Sequence, residues 1–425
     1  MIWPGKQPGI PAMPLFPPAD LATWTPADIP PLTTLRPLSI WEITAWILPM
    51  APEHFRRVLA ANPHLPQGSA GAEGGTRWFT AADLVPLRAH FAASGRKARY
   101  QPQHALRAPL VALTGPMGSM GRSTALLHLA VGTALSGYRI LVIEGDAGGS
   151  LNPLLPASSG GSQGVLSLIA RSAARHLRQL NQARLDRGDA PQPMDDRLTA
   201  ALMTTAGDLI RPSLWPGLDV MVLPPEALLG DGLIAGWRHA LRGWQPGEGL
   251  AAALQDDGLR QRYDLILCDM ARGLGPLAMA LLGAADILLA PLPLTEVAGP
   301  RLIAGLQALA EARTLSDAEA HSLARALGQP PAPVPSQHLM ILPTRAAADA
   351  ARQMAGFAAK LGDSLLPAPL PEVPSVAAGQ VAHLYDLDYR SLGRLTYAPL
   401  RQACDTACDT ACRSLMTALG FAAKP

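Results

Sequence analysis

Charge is scarce in this chain. Asp, Glu, Lys and Arg make up 16% of the sequence, and 35 basic against 33 acidic side chains leave a formal net charge of +2. That balance excludes a bulk electrostatic affinity for nucleic acid, so any contact with DNA has to come from local basic patches. Cysteine is equally sparse. Of the four, Cys268 lies in an apolar run and Cys404, Cys408 and Cys412 recur in ACDTACDTAC, a pattern that fits no secreted disulfide framework and is met by reduced thiols. No uninterrupted apolar run reaches the roughly 18 residues of a membrane-spanning helix. The segment from Met1 to Asp20 is broken by prolines where a leader carries a basic stretch followed by an apolar one. A cytoplasmic protein with no membrane span is expected.

Apolar material, by contrast, is plentiful: 48% of 425 residues, enough for one large α/β unit plus an accessory module and too much for global disorder. Residues 1–36 are rich in proline and read as an extended arm. From Leu38 the pattern changes. Ile40, Ile43 and Ile47 fall on one helical face, with Ser39 as cap and Glu42 as its capping-box partner. Pro49 ends that helix, Pro52 opens a second with Phe55, Val58 and Leu59 on its apolar side, and Asn62-Pro63 stops it. Arg77-Trp78-Phe79 reads as a short strand and Thr80, with Asp83, as the cap of a further helix. Residues 37–104 thus form a helix-turn-helix-like module that ends in a basic linker, Gly95 to Tyr100.

Over residues 105–425 strands and helices alternate. Strands are expected at Leu110 to Leu113, Arg139 to Glu144, Leu218 to Leu223, Tyr263 to Asp269, Ile287 to Ala290 and His338 to Leu342, with a helix from Ser123 to Ser136. Such alternation predicts an α/β fold, a doubly wound, mostly parallel sheet with its ligand at the C-terminal strand ends. Residues 154–164 and 328–336, rich in Ser, Gly and Pro, read as surface loops.

Gly115-Pro116-Met117-Gly118-Ser119-Met120-Gly121-Arg122-Ser123-Thr124 stands between a predicted strand and a predicted helix, the context that a phosphate-binding loop requires. Backbone N–H groups around Gly118 and Gly121 can cradle phosphate oxygens at the positive end of the helix, and the Ser123 hydroxyl can complete a Mg²⁺ shell. Taken alone, the segment also fits a plain strand-to-helix glycine turn. Glu144 and Asp146 end one predicted strand and Asp269 ends another; acidic residues at a strand mouth can also cap the following turn.

These segments together resemble the ParA/MinD family of P-loop proteins. Gly118, Gly121, Ser123 and Thr124 match its nucleotide-binding loop, K-G-G-x-G-K-[ST]-T; Met117 and Arg122 stand at its two lysines and Ser119 at a glycine. The stretch ending in Glu144-Gly145-Asp146 is similar to the family's D-x-D strand, and Tyr263 to Asp269 to its metal-facing strand, although Met270-Ala271-Arg272-Gly273 follows where two prolines usually do. Within the family, the phrases Arg56-Arg57-Val58-Leu59, Asn62 to Gly68, Arg77 to Thr80 and Leu384-Tyr385-Asp386 resemble the RepA proteins of RepABC partition systems, over about residues 38–418.

The resemblance implies ATP or ADP bound with Mg²⁺ through Gly118, Ser119, Met120, Gly121, Arg122, Ser123 and Thr124. It places Ser123 and Asp269 at the metal and Asp146 as the catalytic carboxylate that directs water. It implies a nucleotide-controlled homodimer that binds DNA and works with a ParB-like partner in replicon segregation. Met117 supplies no charge across a dimer, and the planar guanidinium of Arg122 does not reproduce an ammonium's point contact, so weak or absent hydrolysis is expected. A pseudo-ATPase scaffold in a positioning, secretion or polysaccharide-synthesis complex is the alternative.

Two amphipathic helices around a turn also serve as ordinary core packing. With the family resemblance, Arg56 and Arg57, beside His54, become candidate phosphate contacts, and Arg96, Lys97 and Arg99 candidate anchors on the DNA backbone. Arg390, Arg394, Arg401 and Arg413 lie near the end that binds DNA in ParA relatives. Cys404, Cys408 and Cys412 share one stripe of a helix that Pro399 can start, where they pack as small apolar groups or, less simply, join a metal site.

Overall fold

The computed structural model describes residues 35–70, 77–93, 100, 102–115, 121–146, 151, 155, 164–223, 228–270, 273–295, 297–326, 337–347, 350–418 and 420. The N-terminal part runs β1 (Leu38–Ser39), α1 (Ile40–Glu42), α2 (Pro52–Ala61), β2 (Ser69–Ala70), β3 (Arg77–Phe79) and α3 (Leu84–Ala93). Ser39 and Glu42 form the expected capping box, and the chain continues from α1 as a π-helical turn, Ile43–Ile47, before Pro49. Ile40, Ile43 and Ile47 are all buried. Pro52 occupies the first turn of α2 and Asn62 its C-cap, while Thr80 and Asp83 exchange reciprocal hydrogen bonds ahead of α3. The three strands make a small antiparallel sheet in the order β1-β3-β2.

The remainder alternates as the apolar runs predict: β4 (Leu110–Leu113), α4 (Arg122–Leu135), β5 (Ile140–Gly145), α5 (Gly164–Leu185), β6 (Arg211–Pro212), β7 (Leu218–Met221), α6 (Pro246–Asp256), β8 (Leu265–Met270), α7 (Pro276–Ala284), β9 (Ile287–Pro293), α8 (Ala298–Ala326), β10 (His338–Thr344), α9 (Ala350–Leu361) and α10 (Arg394–Thr417), with shorter helical turns between. Among the described residues seven strands form one sheet in the order β10-β9-β4-β8-β5-β7-β6, parallel throughout except for the edge strand β6.

Both faces of this sheet are covered, so its strands are apolar on consecutive residues. Ile140 and Val142 of β5 and Leu265 and Leu267 of β8 point into the cluster that holds α4 and α10; Leu141, Ile143, Ile266 and Cys268 point into the one beneath α5 and α6. The first cluster also takes in Leu38, Ile43, Phe55, Phe79 and Phe91, so the N-terminal module shares its core with the sheet domain. Arg88 of α3 strengthens that junction. Its guanidinium donates to the carbonyls of Tyr100 (2.8 Å), Leu135 (2.5 Å) and Ser136, placing a cation at the C-terminal end of α4, where the helix dipole favours it.

The C-terminal helix departs from expectation at its start. It begins at Arg394, and Pro399 lies inside it, with its missing N–H facing the second turn instead of the first. Cys404, Cys408 and Cys412 are buried along α10 with Ala407 and Ala411, and no group of three or more potential metal ligands occurs among the described residues. They pack: the Cys408 thiol donates to the His128 carbonyl at 3.2 Å. Residues 154, 156–163 and 328–336, expected as loops, lie outside the described residues, whereas Gly164 already belongs to α5.

Candidate functional site

β4 delivers the chain to Thr114 and Gly115, and α4 carries it away from Gly121. Gly121 is the N-cap, with φ 71° and ψ 30°, a left-handed conformation that a side chain rarely adopts, and the space around it is open. Ser123 follows in the first turn, and its hydroxyl donates to Oδ2 of Asp269 at 2.7 Å. Asp269 is 1% exposed at the end of β8, with Leu113 of β4 and Glu144 of β5 as its register partners. Two residues 146 positions apart, singled out for separate motifs, are thereby brought into contact at the C-terminal ends of the central strands.

Around this pair the remaining predictions divide. Arg122 and Thr124 lie half-buried in the first turn of α4, and Asp146 lies half-buried just past β5. Gly118, Ser119 and Met120, and with them Met117, lie outside the described residues, as do Arg96, Lys97 and Arg99. Glu144 is 1% exposed and acts as a strap: Oε1 accepts the Leu151 N–H at 2.9 Å and Oε2 the Leu223 N–H at 3.0 Å, tying the segments beyond β5 and β7 together. Gly145 is required for a close approach, since a Cβ there would stand 2.7 Å from the Asp269 carbonyl.

Neighbouring oxygens on an octahedral Mg²⁺ at about 2.05 Å stand roughly 2.9 Å apart. The Ser123 hydroxyl and the Asp269 carboxylate meet that spacing, and both are hard oxygen donors, so the pair fits the ion.

Beside α4 a pocket of about 260 Å³ opens between Gly121, Thr124 and His128 on one wall and Thr344, Arg345, Glu372 and Val376 on the other. Arg345 has φ 55°, the only positive value at a non-glycine among the described residues. Sequence reading missed this second wall. Bridges Ile341↔Leu365 and Ala346↔Pro371 carry the proline-rich stretch 367–374 back over the strand ends, and that stretch was the available signal. His128 anchors the floor: its Nδ1 donates to the Thr124 carbonyl at 2.8 Å, and its Nε2 accepts the Leu384 N–H at 3.2 Å. Burial pulls its pKa down to about 4 against the pull of the Thr124 bond, so the ring is neutral.

The proposed DNA contacts fare unevenly. Arg56 and Arg57 are exposed on α2, Arg57 beside His54 at 3.2 Å and Arg56 loosely paired with Glu53 at 3.7 Å. Arg401 is unavailable to DNA. It is 1% exposed, lies over the Tyr385 ring and is paired with Asp405 at 2.8 Å, because its position on α10 faces the core. Arg390 and Arg413 are exposed but paired with Asp388 and Asp409.

No protein-family model matches the chain, and no curated protein is significantly similar to it in sequence. Solved structures are similar in fold. A structure described as a partition protein is 16% identical, with a TM-score of 0.51, over 82% of this chain and 89% of that one. McdA of Cyanothece, solved with ATP, is 16% identical over 72% of this chain and 96% of its own, with a TM-score of 0.45. Cobyrinic acid a,c-diamide synthase of Mycobacterium smegmatis, solved with an ATP analogue and magnesium, is 14% identical over 75% and 100%, with a TM-score of 0.45. The first likeness shows the fold: a mostly parallel, doubly wound P-loop sheet of the ParA type.

Proposed function

We propose that the chain is a ParA-type partition protein that binds ATP or ADP with Mg²⁺, dimerises, binds DNA and works with a ParB-like partner. The observation that carries the reading is the Ser123–Asp269 contact at the mouth of the sheet, beside a left-handed glycine and the start of a buried helix. Bound Mg²⁺–nucleotide would supply the electrophilic phosphoryl group. The chain's own contribution is to hold phosphate at the α4 N-terminus through backbone N–H groups and Arg122, and to hold the metal through Ser123 and Asp269. Asp146, at the adjacent strand end, would orient the attacking water. The pocket beside Thr124 and Val376 has room for part of the nucleoside. Strand, helix, turn, helix and hairpin in the order seen for residues 38–79 are also the parts of a winged helix, with α2 as the DNA-facing element.

Met117 and Arg122 favour slow turnover, as a member closest to the RepA proteins with a degenerate loop or as a scaffold that keeps the fold without hydrolysis. Sedimentation of the full chain with and without ATP–Mg²⁺ and a nonspecific duplex tests the main reading. A dimer that holds the duplex only with nucleotide is expected; a monomer indifferent to nucleotide would refute it. A phosphate-release assay on Met117→Lys/Ser119→Gly/Arg122→Lys then separates the two forms. Recovered turnover indicates an impaired switch, and none in a variant that binds ATP indicates the scaffold.

A further inference from the structure

Away from the glycine turn, a pocket of about 380 Å³ lies between the N-terminal module and the C-terminal segment. Its wall carries Arg56 of α2, Arg77 of β3, Arg394 at the start of α10, and the rings of Trp41 and Tyr389; among the described residues no carboxylate lines it. Arg77 is steered by Gln67, donating to its backbone carbonyl at 3.1 Å and its side-chain oxygen at 3.4 Å. Arg394 is steered by the aromatic walls, 4.8 Å from the Trp41 centroid and 5.5 Å from that of Tyr389. Among the described residues neither Arg77 nor Arg394 has an acidic partner, and Arg56 has only the exposed Glu53 at 3.7 Å.

Three guanidinium groups on one concavity repel one another, and because all three are exposed, water screens part of that repulsion. An anion relieves that repulsion. The planar donor fork of a guanidinium matches the oxygens of a phosphate two at a time, which favours phosphate over a monovalent halide. Tyr389, whose ring is buried, lines the same wall, and its hydroxyl makes no hydrogen bond among the described residues. We propose that this pocket is a second anion site that takes a phosphate group, either from a free nucleotide or from a DNA backbone. Because its walls come from α2, β3 and the start of α10, a bound phosphate also pins the module to the C-terminal segment. The proposal stands apart from the reading of the glycine turn.

Modification of the full chain by phenylglyoxal, mapped by peptide mass, tests the site residue by residue and is blind to what the glycine turn binds. The probes are inorganic pyrophosphate and a short nonspecific duplex, each added separately, with the exposed Arg187 as internal control. At a ligand concentration ten times its Kd, modification of Arg77 and Arg394 should slow roughly tenfold, since protection follows 1 + [L]/Kd, while Arg187 keeps its rate. Protection by pyrophosphate assigns the site to free phosphates; protection by the duplex alone assigns it to the DNA backbone. In an Arg77→Gln/Arg394→Gln variant with unchanged circular dichroism, the protection of Arg56 should disappear. Unchanged rates at Arg77 and Arg394 with both probes would overturn the proposal.

Discussion

Asp264 and Asp269 stand at opposite ends of β8, 0% and 1% exposed, and they are held in different ways. Asp264, at the N-terminal end, is enclosed by donors: the Arg139 guanidinium at 2.7 Å, the Arg139 N–H at 2.8 Å, His104 at 2.9 Å and the Ala105 N–H at 3.0 Å. Burial by itself would raise its pKa, but the bonds from Arg139 and His104 outweigh it and hold the carboxyl below the usual range. Arg260 and Asp286 form a second pair at that end. Asp269, at the other end, receives a hydroxyl from Ser123 next to a helix N-terminus and an open pocket. One end of the sheet is closed with fixed cations; at the other, on the function proposed above, the oxygens would hold a mobile one. On that proposal equal burial conceals a division between stability and binding, which substitutions can separate.

The largest effect is expected from Asp264→Ala. It leaves the Arg139 and Ala105 N–H groups without an acceptor, and the loss should be about 3 kcal/mol, tempered because the Arg139 side chain is 41% exposed. Urea midpoints measure it, and a change below about 1 kcal/mol would mean that this end is not the stabilising one. Asp269→Asn, which keeps an acceptor for Ser123, should cost less than about 1 kcal/mol of stability yet weaken Mg²⁺-dependent nucleotide binding at least tenfold. A reversed ranking of the two variants breaks the comparison.

Gly145→Ala is expected to come next, at about 1–3 kcal/mol, because the added methyl meets the Asp269 carbonyl, which is backbone and cannot turn aside. It should also disturb binding, being the one substitution here that couples both properties. A variant as stable as the parent would show that the strand ends can part without strain.

Acid separates the two ends again. Above about pH 6.5 His128 is neutral both folded and unfolded; below it the unfolded chain binds a proton that the folded one refuses until about pH 4. Stability therefore falls across that window, by up to about 1.4 kcal/mol per pH unit for this group. Burial acts in the same direction on His383, whereas Asp386, pushed up by burial to about 6, takes its proton first in the folded state and offsets part of the loss. Asp264 contributes stability that disappears only as the pH falls below about 3.9 and through its depressed folded value. His128→Gln should flatten the slope between pH 6.5 and 4.5 by about one proton, as read from urea midpoints along that range. The smallest effect belongs to His104→Ala, below about 1 kcal/mol, because that ring is 45% exposed.

Much of this was legible in the sequence where local chemistry decides. Ser39–Glu42, Pro52, Asn62 and Thr80–Asp83 set helix ends through contacts within a few residues, and the buried strands declared themselves as short apolar runs. Asp269 and Ser123 are assigned to one metal by the family resemblance of their two segments, and their hydrogen bond places them at the same side of the parallel sheet. The wall formed by Thr344, Arg345 and Glu372 was not legible, since it depends on a long-range bridge from β10 to the chain after α9. Nor was the burial of Arg401, whose charge reads as surface until Asp405 and Tyr385 are placed around it. The arginine pocket likewise needs residues 39–77 and 389–394 to meet.

Calorimetric titration of the full chain with ATP, with and without Mg²⁺, tests the central claim most directly when repeated on Ser123→Ala and Asp269→Asn. Binding should be at least about tenfold tighter with the metal in the parent chain, and that gain should vanish in both variants while their urea midpoints stay near the parent's. Equal affinity with and without Mg²⁺, or a metal effect that survives both substitutions, would contradict the assignment of this end of the sheet.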